Sequence, residues 1–197
     1  MPIDLGTILT NPKYHDFFSI IKGFRNGLVY GARIRFPHAL VMTFMFGQGT
    51  LEQKIQRIIE ATVQHSRNLA FFVTIYKTLM VIQRRVKGRE DSADSFIAGL
   101  IGGYMVFGED NNINQQINMY LLSRVSFGLA KMAVKKKLIP EPPHAFPIFA
   151  AVVWGIVMWQ FRYERDVLQG SLQSSMQFLY NDSEVFTNLG NWLWRNR

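Results

Sequence analysis

The 17 residues AFPIFAAVVWGIVMWQF, from Ala145 to Phe161, carry no charge. As a helix rising about 1.5 Å per residue they reach roughly 25 Å, close to the ~30 Å of a bilayer's hydrocarbon core. A helix that is apolar all round has no face to offer water, so protein or lipid must enclose it. Trp154 and Trp159 favour lipid, because indole rings settle at the boundary between hydrocarbon and headgroups.

Four more stretches fit the same environment. Residues 25–46 read as one span bent at Pro37, which removes a backbone donor, although Arg25, Arg33 and Arg35 lie in or beside it. Thr50–Ser66 places Leu51, Ile55, Ile58, Ile59, Thr62 and Val63 at helical spacing opposite charged residues, the pattern of an interfacial amphipathic helix. A second span covers residues 67–83, a third 94–108 and a fourth 116–134, with 145–161 as the fifth. The third holds only 14 uncharged residues, Ser95–Gly108, or about 21 Å of helix, too short to meet lipid on every side. Beyond the fifth, Leu168, Leu172 and Met176 stand four apart in an amphipathic tail over 165–180.

The net charge of +8 alone would admit nucleic acid, an anionic surface or basic loops beside spans. Its distribution decides among them. Arg84, Arg85, Lys87 and Arg89 follow the second span and Lys135, Lys136 and Lys137 the fourth, whereas Glu109–Gln116 has no basic residue. Short loops alternating basic, non-basic and basic obey the positive-inside rule, so no nucleic-acid partner is expected. The predicted fold is all-α, a polytopic transmembrane bundle of four to five short Gly-rich helices with an amphipathic interfacial helix, forming one membrane domain over 1–197. A soluble helical bundle is the competing reading.

Cysteine is absent, which removes disulfides, thiolate metal sites and cysteine nucleophiles. Asp110, Asn112 and Asn114 imitate the start of a calcium loop, but Gln115 stands where Gly is needed and Leu121 where Glu is needed. Those asparagines suit helix capping or bonds between helices instead. His15, His38, His65 and His144 lack ligand spacing, so no catalytic set, metal or cofactor is expected. Gly23, Gly27 and Gly31 repeat at a spacing of four, as do Gly99 and Gly103, with Ala98 and Gly102 as a further pair; such residues let helix backbones approach. Glycine also loosens loops and lowers helix propensity, the competing account of the same residues. Arg33, Arg35, Lys77 and Arg124 are charges within or beside spans, expected to face an interior or cavity; for all but Arg124, snorkelling to the headgroups is an equal alternative. The sequon Asn181-Asp182-Ser183 matters only in a secretory lumen, and no secretory signal is expected at the start.

KGFRNGLVYGARIRFPHALVMTF, VFGEDNNINQQINMYLLSR, LIPEP, AVVWGIVMW and SLQSSMQFLY, between Lys22 and about Val185, resemble the peroxisomal membrane protein 4 family. VKGREDSADSFIAGLIGG, a basic turn, acidic pair and glycine helix, is similar more distantly to the Tim-type translocase superfamily. The resemblance implies a non-enzymatic, multi-pass protein of the peroxisome membrane, contributing to solute or polypeptide passage or serving as an assembly component. Its implied partners are the lipid bilayer, partner helices or a second copy, and the peroxin chaperone that delivers membrane proteins by their basic and apolar segments. QRRVKGR and KMAVKKK are similar to such targeting segments; they equally satisfy the positive-inside rule.

Overall fold

The computed structural model describes residues 5–140 and 143–193, and every regular element among them is helical. Two compact units result, Met1–Gly128 and Leu129–Arg197.

In the first unit a short helix α1 (Leu5–Thr10) and a 3-10 turn lead into α2 (His15–Phe46), 32 residues long. The helix begins ten residues before the span predicted at 25–46, and it continues through Pro37. One lost donor is tolerable where the rest of a 32-residue helix maintains the hydrogen-bond ladder.

Helix α3 (Leu51–Lys87) corrects the sequence reading more deeply. The predicted interfacial helix over Thr50–Ser66 and span over 67–83 are one helix of 37 residues, about 55 Å long. Between Leu51 and Lys87 stands neither glycine nor proline, so nothing interrupts it. Its start is fixed by a capping box, in which the Thr50 hydroxyl accepts from the Gln53 amide and the Gln53 side chain accepts from the Thr50 amide. Its end is fixed by Gly88 in the left-handed region (φ 74°), with Arg84, Arg85 and Lys87 at the negative end of the dipole.

Helices α2 and α3 run antiparallel, because rising positions on one meet falling positions on the other. A Cβ placed on Gly23 would lie 2.9 Å from the Val73 side chain, one on Gly27 2.6 Å from the Ala70 Cα, and one on Gly31 2.6 Å from the Ser66 Cα. At Gly27 and Gly31 the backbones therefore meet where any side chain would collide, while Gly23 makes room for the Val73 and Lys77 side chains. Phe24 and Phe71 pack beside it with centroids 6.1 Å apart.

Helix α4 (Ser92–Phe107), about 24 Å long, returns along α3. Ala98 and Gly102 are buried, and a Cβ on Gly102 would come within 3.2 Å of the Phe72 ring. Phe72 also packs on Phe107 at 5.7 Å. Helix α5 (Asn112–Lys135) follows a short turn; residues 119–132 of it are exposed.

In the second unit, α6 (Ala145–Tyr163) is the one described helix long and apolar enough by itself to cross a membrane. Most of its side chains are exposed, and Phe161 is buried. The tail predicted as one helix over 165–180 is divided. A 3-10 turn (Arg165–Val167) ends at the extended Leu168, then α7 (Gly170–Met176) continues into a π-helical turn (Gln177–Asn181). Met176 is buried, and Tyr180 meets Phe161 at 6.1 Å. A short α8 (Leu189–Leu193) closes the described chain.

Candidate functional site

The amide-rich turn before α5 folds inward. Asn111 accepts the Asn114 amide at 3.0 Å and caps the helix. Asn114, fully buried, accepts from Asn68 of α3 at 3.0 Å and donates to the Glu109 carbonyl at 3.0 Å. Asn118 donates to the Phe107 carbonyl at 3.1 Å. The turn thus joins α3, α4 and α5 through bonds to charge-free groups.

One helical turn from Gly31, Arg35 reaches across from α2 and donates to Gln116 of α5 at 2.7 Å. His38 is exposed, whereas His65 on α3 is buried, and the positive charge of Arg35 acts on both. His65, Ser66 and Asn68 are buried on α3, so a polar seam runs between helices whose outward sides are largely apolar. Buried polar side chains of this kind are held by partners rather than by water, and their loss leaves the partner stranded.

The four charges expected in or beside spans occupy four different settings. Lys77 crosses to α2, donating to the Ser19 carbonyl at 3.0 Å and to the Ser19 hydroxyl. Arg35 lies in the seam. Arg124 is exposed on α5, its guanidinium 5.0 Å from the Tyr120 ring centre. Arg33 lies on the outer face of α2, where Arg25, Asn26, Val29, Tyr30 and Arg33 line an open cavity of about 350 Å³.

The glycines divide as well. Gly23, Gly27, Gly31 and Gly102 face neighbouring helices, whereas a Cβ on Gly99 or Gly103 would meet no described atom within 4 Å.

The first basic run is knitted to acids. Arg84 pairs with Asp16 at 2.6 Å and with Glu90 at 3.3 Å, Arg85 with Asp16 at 3.3 Å, Arg89 with Asp91 at 3.5 Å, and Lys87 with the buried Asp94. The Arg84 hydrogen bond, helped by Arg85, holds the Asp16 carboxyl below its ordinary range, and the same bond raises Arg84. Lys135 ends α5, with Lys136 and Lys137 just beyond it, and all three are exposed or half-exposed. Asn181, of the sequon, lies 2.8 Å from the Gln177 side chain, and with its amide turned to suit its neighbours its oxygen accepts from the Arg165 guanidinium at 3.1 Å.

Sequence reasoning passed over His38, His65 and Asn68 as site residues. The available signal was the three-residue spacing of His65 and Asn68, one face of a helix, together with the amides of 111–118 that needed partners.

Residues 14–123, covering α2, α3, α4 and the buried start of α5, match the Tim17/Tim22/Tim23/Pmp24 family. The chain belongs to that family. It is 52% identical over 194 residues to human (Homo sapiens) peroxisomal membrane protein 4, covering 98% of this chain and 92% of that protein. The bovine (Bos taurus) protein of the same name is 51% identical over the same shares. No solved structure matches the chain. As a member of the Tim17/Tim22/Tim23/Pmp24 family with these relatives, it is a helical, multi-pass protein of the peroxisome membrane, and the lipid bilayer is its environment. The family match ends within α5, so α6 and the tail lie beyond it.

Proposed function

We propose that the protein is non-enzymatic and gives a hydrophilic solute or polypeptide passage across the peroxisome membrane. The observation that carries this reading is the open cavity on α2 lined by Arg25, Asn26, Val29, Tyr30 and Arg33. An arginine at bilayer centre costs roughly 2.5–3.5 kcal/mol even on insertion scales, so two on one face of a spanning helix call for water beside them. Kinship with Tim-type translocases supports the same reading.

The test is flux through liposomes containing the purified full chain. Arg25→Leu combined with Arg33→Leu is expected to reduce flux, and Arg124→Leu asks whether the route also follows α5. Flux from the parent chain no greater than from protein-free vesicles would overturn the proposal.

The open glycines of α4 favour a second reading, an assembly component without a conduit. Gly99 and Gly103, beside the exposed Phe96 and Leu100, offer a close-approach face to a partner helix or a second copy. A fixed partner recovered by crosslinking, together with flux at the protein-free level, would favour it. Under either reading the peroxin chaperone delivers the chain. Lys135, Lys136 and Lys137 are its expected handle, because the first basic run is engaged with Asp16, Glu90, Asp91 and Asp94.

A further inference from the structure

The polar seam between α2, α3 and α5 is incomplete in one chemical respect. Two buried nitrogens of the seam and one of the adjoining turn lack hydrogen-bond partners among the described residues: Nε of Arg35, Nδ1 of His65 and Nδ2 of Asn111. The first and third can only donate, and the His65 nitrogen can donate when protonated. Each stranded donor costs about 1–3 kcal/mol, so a fold that retains the Arg35 and Asn111 donors unmet beside an unpartnered imidazole nitrogen lacks an acceptor.

The charges point the same way. Arg35, His38 and His65 influence one another electrostatically, and among the described residues none of the three makes an ion pair with a carboxylate. The other groups bonded in the seam, Gln116, Asn68 and Asn114, are neutral amides. The fixed positive charge of Arg35, beside two titratable imidazoles and without a carboxylate partner among the described residues, is what an anion would stabilise inside a membrane protein.

We propose that this seam binds an oxyanion, a carboxylate or a phosphate group, held by the Arg35 guanidinium, His65 and Asn111. The planar guanidinium presents the fork that such oxygens accept. Arg35 is half-buried and His38 exposed, so this end of the seam is open to approach from the surface. The site lies apart from the outer cavity of Arg25 and Arg33, and it stands whether or not the protein conducts.

The experiment is thermal unfolding of the purified full chain in uncharged detergent micelles, at constant ionic strength. Inorganic phosphate or acetate replaces chloride in one arm, and phosphatidic acid is added to the micelles in another. Binding predicts a saturating upward shift in Tm of about 2–4 °C. A shift with the small anions assigns the site to a free solute, whereas a shift with phosphatidic acid alone assigns it to a lipid headgroup. Arg35→Gln should abolish the shift while Arg89→Gln retains it. Should Arg35→Gln fail to fold, His65→Gln is expected to weaken apparent affinity at least fivefold. No shift in either arm, or an undiminished shift in the Arg35 or His65 variant, would overturn the site.

Discussion

Glycine has two different meanings in this chain, and they can be measured separately. At Gly27 a methyl group would collide with backbone, Ala70 Cα at 2.6 Å, which cannot rotate away. Gly27→Ala is therefore expected to cost about 1–3 kcal/mol, the range for overpacking, despite alanine's better helix propensity. Gly99 has open space around it, so Gly99→Ala should gain up to about 1 kcal/mol of helix stability, read by thermal unfolding of the two variants in parallel. Equal effects would mean that the α2–α3 approach does not distinguish them. Asn114→Ala strands the Asn68 amide in a buried site and should cost about 1–3 kcal/mol in the same measurement. Spacing in the sequence exposed the four-residue glycine repeats but not which of them would find a neighbour. The amide turn was legible as capping and inter-helix bonding, whereas His65 and Asn68 were obscured by the charged residues around them, Glu60 and Arg67.

Among the elements, α4 and α6 were legible because each is a single uncharged run with charges at its borders. Helix α3 was not, because its first half carries Glu52, Lys54, Arg57 and Glu60, whereas residues 68–82 are apolar apart from Lys77, so hydropathy divides what the backbone keeps whole. Helices α2 and α3 also hide part of their polarity in each other, through Lys77 with Ser19 and through the buried Ser66 beside Gly31. Hydropathy averaged along one helix cannot register that pairing. The far ends of the pair are tied by Asp16 to Arg84 and Arg85. Because these partners lower the Asp16 pKa in the folded chain, their contribution is present above the unfolded value, near 3.9, and is lost as pH falls through the folded value. The parent's Tm advantage over Asp16→Asn should accordingly shrink as pH is lowered from about 6 to about 3. An advantage that persists unchanged at the acid end would show that the ion pair does not hold the helix ends.

Among the described helices only α6 satisfies length and apolarity alone, so any further crossing would depend on helices that share their polar surfaces. The positive-inside pattern predicts an orientation: the turn at Glu109–Asn112 on one side, and the two basic junctions on the cytoplasmic side. Helix α5 links these ends directly. Its 24 residues span about 36 Å, more than the ~30 Å hydrocarbon thickness, and Asn112 and Lys136 at its two ends are both exposed. The chain contains no cysteine, so Asn112→Cys and Lys136→Cys each introduce a single thiol. The decisive measurement is labelling of these variants in intact peroxisomes by a membrane-impermeant maleimide. Lys136→Cys should label at once and Asn112→Cys only after the membrane is permeabilised; equal labelling of both in sealed organelles would contradict the crossing.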